Sequence, residues 1–88
     1  PAYTPAYVNL ADLYRSRGNE AKAEEILRQA AEVIPGGGDI HHALGLSLVR
    51  QKRIAAAAYE LKEAANLTPE NARYALTKHI YTAGFMTK

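Results

Sequence analysis

Three histidines, two serines and a run of three glycines are the residues of this 88-residue chain with most chemistry in reach. His41 and His42 are neighbours, so on a helix they point about 100° apart and do not close on one ion. His79 is distant, and no carboxylate stands four residues from any histidine to complete a tetrahedral ligand set. Ser16 and Ser47 are single hydroxyls with no nearby base and orienting group. Gly36-Gly37-Gly38 lacks the strand, lysine and hydroxyl of a phosphate-binding loop and reads as a turn or hinge, an unusually flexible one. There is no cysteine, which removes disulfides, thiolate metal sites, covalent haem attachment and cysteine nucleophiles. The residues therefore predict no catalytic site, no metal and no cofactor.

Bulk properties exclude further classes. A net charge of +2 is mild, and no dense basic stripe of the kind that grips nucleic acid is present. No segment reaches the ~18–20 uninterrupted apolar residues of a membrane helix. The start does not resemble a signal peptide, and compartment stays unassigned. Seventeen residues are alanine; such small side chains let helices approach closely, which favours a tight helical stack.

The elements that would carry these residues are helices. Thr4-Pro5 is a start signal, a hydroxyl cap followed by proline. Tyr7, Leu10, Ala11 and Tyr14 then share one face, and Gly18 stops the helix after Arg15 and Arg17. Asn19 can cap the second helix, whose stripe is Ala23, Ile26, Leu27, Ala30, Val33 and Ile34. Asp39 is the expected cap of a third helix carrying Ile40, Leu44 and Leu48 to about Arg50, and Gln51-Lys52-Arg53 makes the turn. Ile54, Ala57, Ala58, Leu61, Ala64, Ala65 and Leu67 mark a fourth. A fifth runs from about Asn71 to Ala83, closed by Gly84. No segment shows β-type alternation, so the fold class is all-α, with short turns making neighbours antiparallel.

The pattern repeats. Pro1, Pro35 and Pro69 lie 34 residues apart. At the same shift Leu10 falls on Leu44, Leu27 on Leu61, Ala21 on Ala55, Ala23 on Ala57, and Ala30-Ala31 on Ala64-Ala65. Apolar residues survive the shift and charged ones mostly do not, as expected when packing constrains sequence and solvent does not.

In detail the first unit reads Tyr7-x2-Leu10-Ala11-x2-Tyr14, Ala23-x3-Leu27, Pro35. The second reads His41-x2-Leu44-Gly45-x2-Leu48, Ala57-x3-Leu61, Pro69. This resembles the tetratricopeptide repeat, W-x2-L-G-x2-Y, then A-x3-F, then P. Every substitution except His41 keeps small or apolar character. The resemblance implies antiparallel hairpins stacked as a right-handed solenoid of about five helices. One domain over 1–88 would divide into repeat one (1–35), repeat two (36–69) and a partial third (70–88). Pro1 looks like the closing proline of a preceding unit, so the chain reads as a piece of a longer array. In the third unit strict periodicity puts Ala75, Lys78, His79 and Thr82 at the packing positions. A slide of two residues puts Leu76, Thr77 and Ile80 there, and that register is favoured.

The family's first helices line a concave groove. Carried over, the groove face is Val8, Asp12 and Arg15 from the first unit and His42, Leu46 and Val49 from the second. The third would add Leu76, Ile80 and Ala83 in strict register, or Tyr74, Lys78 and Tyr81 if slid. Some members clamp a chaperone's C-terminal carboxylate with lysine and asparagine. Val8 and Asp12 stand where those residues would be needed and only Arg73 keeps a suitable charge, which argues against that activity. Arg15, Arg17, Arg50, Lys52 and Arg53 gather at one edge as a basic ridge, which could face an acidic partner or only offset helix dipoles.

The function implied is a non-enzymatic scaffold binding a peptide or helix of a protein partner. The alternative is a spacer or self-association segment of a larger protein, a homo-oligomer through its truncated faces. The stretches YVNLADLYR, HHALGLSLVRQKR and PENARY are similar to repeats attached to bacterial multi-domain proteins.

Overall fold

The structure, a computed structural model, describes the backbone of residues 4–86 and the side chains of residues 4–82. Five helices follow one another: α1 (Thr4–Ser16), α2 (Glu20–Val33), α3 (Gly38–Arg50), α4 (Ile54–Leu67) and α5 (Ala72–Met86). No strand occurs among the described residues. Each helix packs on the next, and α1 also touches α3. Two hairpins, α1–α2 and α3–α4, thus lie side by side, with α5 set against α4.

The 34-residue period reaches down to single backbone hydrogen bonds. After α1 the Asn19 N–H donates to the Tyr14 carbonyl at 2.9 Å and the Gly18 N–H to Arg15 at 2.9 Å. After α3 the Arg53 N–H donates to Leu48 and the Lys52 N–H to Val49, both at 2.9 Å. This paired closure of a helix end turns on one left-handed residue. Gly18 takes it at φ 80°, and Lys52, its equivalent, at φ 63°. A side chain at such a φ costs about 1 kcal/mol that glycine does not. Lys52→Gly is therefore expected to stabilise the chain by about 1 kcal/mol, and Gly18→Ala to destabilise it by a similar amount. Urea denaturation of both variants checks this; Lys52→Gly at or below the parent's stability would contradict it.

The core is built from the residues that keep the period. Ala11, Ala23, Ile26, Leu27, Leu44, Leu48 and Ala57 form one buried cluster, with Tyr7, Tyr14 and Val49 packed against it. Ile40, Leu61 and Ala64 are also fully buried. Each such leucine or isoleucine contributes about 1.5–3 kcal/mol of burial. Leu10 breaks the symmetry: it is 43% exposed where its equivalent Leu44 is 1% exposed. Leu44 is packed in a cluster with Ile26 and Leu27 of the preceding hairpin, and no described helix precedes α1. Val33, expected on the apolar stripe of α2, is 56% exposed, and its equivalent Leu67 is 40% exposed.

Two capping expectations meet different outcomes. Asn19 caps α2, its side chain accepting from the Lys22 N–H. Asp39 does not cap α3. It lies inside the first turn, and the cap is Gly37, with no side-chain hydrogen bond. The chain passes close to the end of α4 at this start. A Cβ on Gly38 would run into the Thr68 hydroxyl, and one on Gly37 would sit 2.9 Å from Ile40 Cδ1. Both glycines are buried, and neither has a positive φ. Close approach accounts for them better than the flexibility expected from a glycine run.

Candidate functional site

The first helix of each hairpin, together with the start of α5, encloses an open hollow of about 330 Å³. Its small-residue floor comes from Ala11, Ala23 and Ala43, with Leu27 beneath. Small side chains suit Ala11 and Ala23 because α1 packs directly on α2. Around the floor stand Val8, Asp12 and Arg15 of α1, and Asp39, His42, Leu46 and Arg50 of α3. Asn71, Arg73 and Tyr74 close the far side.

Five of the six residues expected on the groove face line this hollow. The sixth, Val49, is partly buried against the apolar cluster. Asp12 and Arg15 form an exposed ion pair at 3.6 Å, and exposed pairs of this kind are worth little in stability. The α5 wall departs from the favoured register. Leu76 and Ile80, expected to pack inward in that register, are 59% and 56% exposed, while Tyr74, of the groove set that goes with it, lines the hollow. Tyr74, Thr77, Lys78, Tyr81 and Thr82 are the partly buried positions. Two tyrosines offer more surface to bury than Leu76 and Ile80 do, and no described helix covers the outer side of α5. Ala83 lies outside the described side chains.

His42 is the most confined polar group in the hollow. It is 7% exposed, and its ring stacks on Tyr74 with centroids 4.4 Å apart and planes 22° from parallel. Its Nδ1 is buried without a hydrogen-bond partner. Burial holds its imidazole below the ordinary range, and the Arg73 charge pushes the same way. Burial likewise raises the Tyr74 phenol, with Asp39 adding to it. Asn71 caps α5, its side chain accepting from the Tyr74 N–H at 3.1 Å, and so helps to fix this wall.

The ridge of cations at the neighbouring edge is half engaged from within. Arg50 donates to both Glu20 carboxylate oxygens, at 2.9 and 3.1 Å, and Ser47 donates to the same group. Arg53 donates to Glu24 at 2.9 Å, beside Gln51 at 3.0 Å and Arg28 at 2.8 Å. Arg17 and Lys52 are exposed and form no ion pair among the described residues. The hydrogen bonds from Arg50 hold the Glu20 carboxyl below its usual range, against partial burial. Partial burial would raise Glu24, but its bonds to Arg28 and Gln51 and the Arg53 charge outweigh that and lower it. Two carboxylates of α2 thus grip the end of α3 and the following turn.

His41, the one departure from apolar character in the repeat pattern, is answered from α4. Its Nδ1 lies 2.7 Å from Glu60 Oε1, and Glu60 is only 9% exposed. The equivalent pair in the first hairpin, at the same period, is Tyr7 and Ile26, both part of the apolar cluster. A polar pair thus replaces an apolar one at the same joint.

Among the described residues no group of three or more His, Cys, Asp or Glu side chains could hold a metal ion. Nor is any described helix long and apolar enough to cross a membrane. The residue sets that sequence spacing brought out were those on one helix face. The groups missed as part of the hollow, Asp39 and Asn71 among them, come from helix starts, where face periodicity carries no signal.

Compared with known families, residues 4–36 match the model described as Tetratricopeptide repeat. Among curated proteins no match is found. The five helices, each packed on the next, fit a repeat array of that kind. Such repeats are in general protein–protein interaction modules and typically non-enzymatic scaffolds.

Proposed function

We propose that this chain, whose residues 4–36 match the tetratricopeptide repeat model and whose five helices fit a repeat array, is a non-enzymatic interaction module. It holds a peptide or helix of a partner protein along the hollow between α1, α3 and α5. The observation that carries this reading is the convergence of Val8, Asp12, Arg15, His42 and Leu46 on one open hollow with Arg73 and Tyr74. Val8 and Leu46 supply apolar contact. Asp12, Arg15 and Arg73 set polarity and register, with charges of both signs that select one direction of a bound segment.

Leu46→Glu tests it. Leu46 is only partly buried, so the fold tolerates the change, whereas a carboxylate in an apolar contact weakens binding by about tenfold or more. The measurement is titration of a captured partner against parent and variant, with circular dichroism as the folding control. Equal affinities in a folded variant would refute the groove.

A second reading has its own support. Leu76 and Ile80 share the exposed side of α5, and Leu10 and Leu13 are 43% and 46% exposed on α1. In this reading the chain is a spacer that associates with itself through these faces. Sedimentation belongs to the same experiment: association abolished by Leu76→Glu and untouched by Leu46→Glu favours self-association, and a monomer at every concentration removes it.

A further inference from the structure

The packing of α5 differs from that of the other helices. No described side chain of α5 is fully buried, whereas each of the other four helices buries at least one. It lies against α4, and it meets α3 through the stack of Tyr74 on His42. That stack joins a nine-tenths buried ring with an unpartnered nitrogen to the first turns of the helix that forms one wall of the hollow. The charged and titratable groups around His42 are few. Arg73 and Tyr74 face it from α5, Asp39 and Arg50 share the hollow from α3, and Asp12 and Arg15 stand on α1. The described hollow takes no charged side chain from α2 or α4.

We propose that His42 makes the docking of α5 a proton-operated latch: the neutral ring holds Tyr74 and one wall of the hollow in place, and the protonated ring releases them. The neutral imidazole suits this position because the ring is stripped of water and lies beside a cation. Protonation would charge this buried ring beside Arg73, and the Nδ1–H of the imidazolium would meet no acceptor. The route open to an imidazolium is outward to water, and that parts it from Tyr74.

The direction follows from linkage. His42 is held below the ordinary imidazole range, so the released and unfolded forms take up a proton before the docked form does. Docking is therefore fully favourable above pH ~6.5 and is lost as pH falls through the lowered value of the docked ring. Glu20 and Glu24, also held low, act in a separate window: their contribution is present above pH ~4.5 and is lost only as the solution becomes more acidic than that. The latch itself stands apart from the groove reading; only its effect on a bound segment, which would lose the Arg73 and Tyr74 wall at low pH, rests on that reading.

The test needs no partner. Amide hydrogen exchange of the whole chain, corrected for intrinsic rates, is followed from pH 7.5 to 5. Protection of α5 relative to α3 and α4 is expected to fall with pH, by at most about tenfold per unit because one proton is involved. In His42→Phe, which keeps a stacking ring and takes no proton, α5 protection stays level over the range. Unchanged α5 protection in the parent, or a pH dependence that survives in His42→Phe, overturns the latch. A measurement on the parent alone guards against a misfolded variant: ring resonances of the three histidines, assigned with His41→Gln and His79→Gln. His42 titrating below the ordinary value together with the loss of α5 protection supports the latch, and His42 titrating at or above it overturns the proposal.

Discussion

Replacement of His41 by alanine is expected to destabilise the chain by about 2–3 kcal/mol. The change leaves the Glu60 carboxylate, 9% exposed, without the group that meets it at 2.7 Å. An unpaired buried charge costs more than the pair contributes, because its desolvation is no longer offset. The loss should appear in the denaturation midpoint of the whole chain, since α3 and α4 carry much of the buried core. Replacing both partners by the pair that stands at this joint in the first hairpin, His41→Tyr with Glu60→Ile, removes the buried charge altogether. That double variant is expected to recover most of the loss. Denaturant titration of the single and double variants decides the matter. A single variant within about 0.5 kcal/mol of the parent would mean that the pair behaves as a solvent-screened surface contact.

The second large effect is expected at Gly45, where α3 crosses α4. A Cβ placed there would lie 2.5 Å from Leu61 Cδ2 and 2.6 Å from Leu61 Cγ, with the Ala57 carbonyl at 3.4 Å. Leu61 is fully buried, so displacing its side chain disturbs the core around it. Gly45→Val adds a branched side chain to a filled joint and should cost about 3 kcal/mol. The same position in the first hairpin is Ala11, 3% exposed. Gly45→Ala is therefore the milder case, where the gain in helix propensity of about 1 kcal/mol works against the contact. Thermal or denaturant unfolding separates the two: Gly45→Val as stable as the parent would show that the hairpin can open at no cost.

The hairpins were legible in the sequence because their cause is local and repeated. Gly18, Pro35 and Pro69 mark ends, and Ala11, Ala23, Leu27, Leu44, Gly45, Leu48, Ala57 and Leu61 recur at one period because one joint is built twice. The face of α5 was not legible. Leu76 and Ile80 are its most apolar candidates by type, yet the helix turns them outward and Tyr74 toward His42. That choice is made by a contact across 32 positions of chain, which no window on α5 alone contains. The start of α3 failed in the same way. Asp39 has the chemistry of a cap, but the demand that Gly38 pass beneath Thr68 comes from a distant residue. His41 looked like a flaw in the repeat because its partner, Glu60, lies on another helix. The pairing of Arg50 and Arg53 did not show because the carboxylates that engage them belong to the neighbouring hairpin. In the groove, spacing supplied the shared face of Val8, Asp12, His42 and Leu46, and the packing of α5 supplied the rest.

The unlike joints of the two hairpins have a consequence for folding. Copies of one design within a chain invite exchange, since α1 could close on α4 as readily as on α2 if their contact faces were interchangeable. They are not. In the crossed pairing His41 would meet Ile26, which offers it no partner, and Glu60 would meet Tyr7 in place of the imidazole that meets it at 2.7 Å. The mismatch is absent from the native arrangement and acts only on the wrong one. His41 and Glu60 would therefore act as a key between α3 and α4, by which two hairpins of one design tell their own helices from each other's.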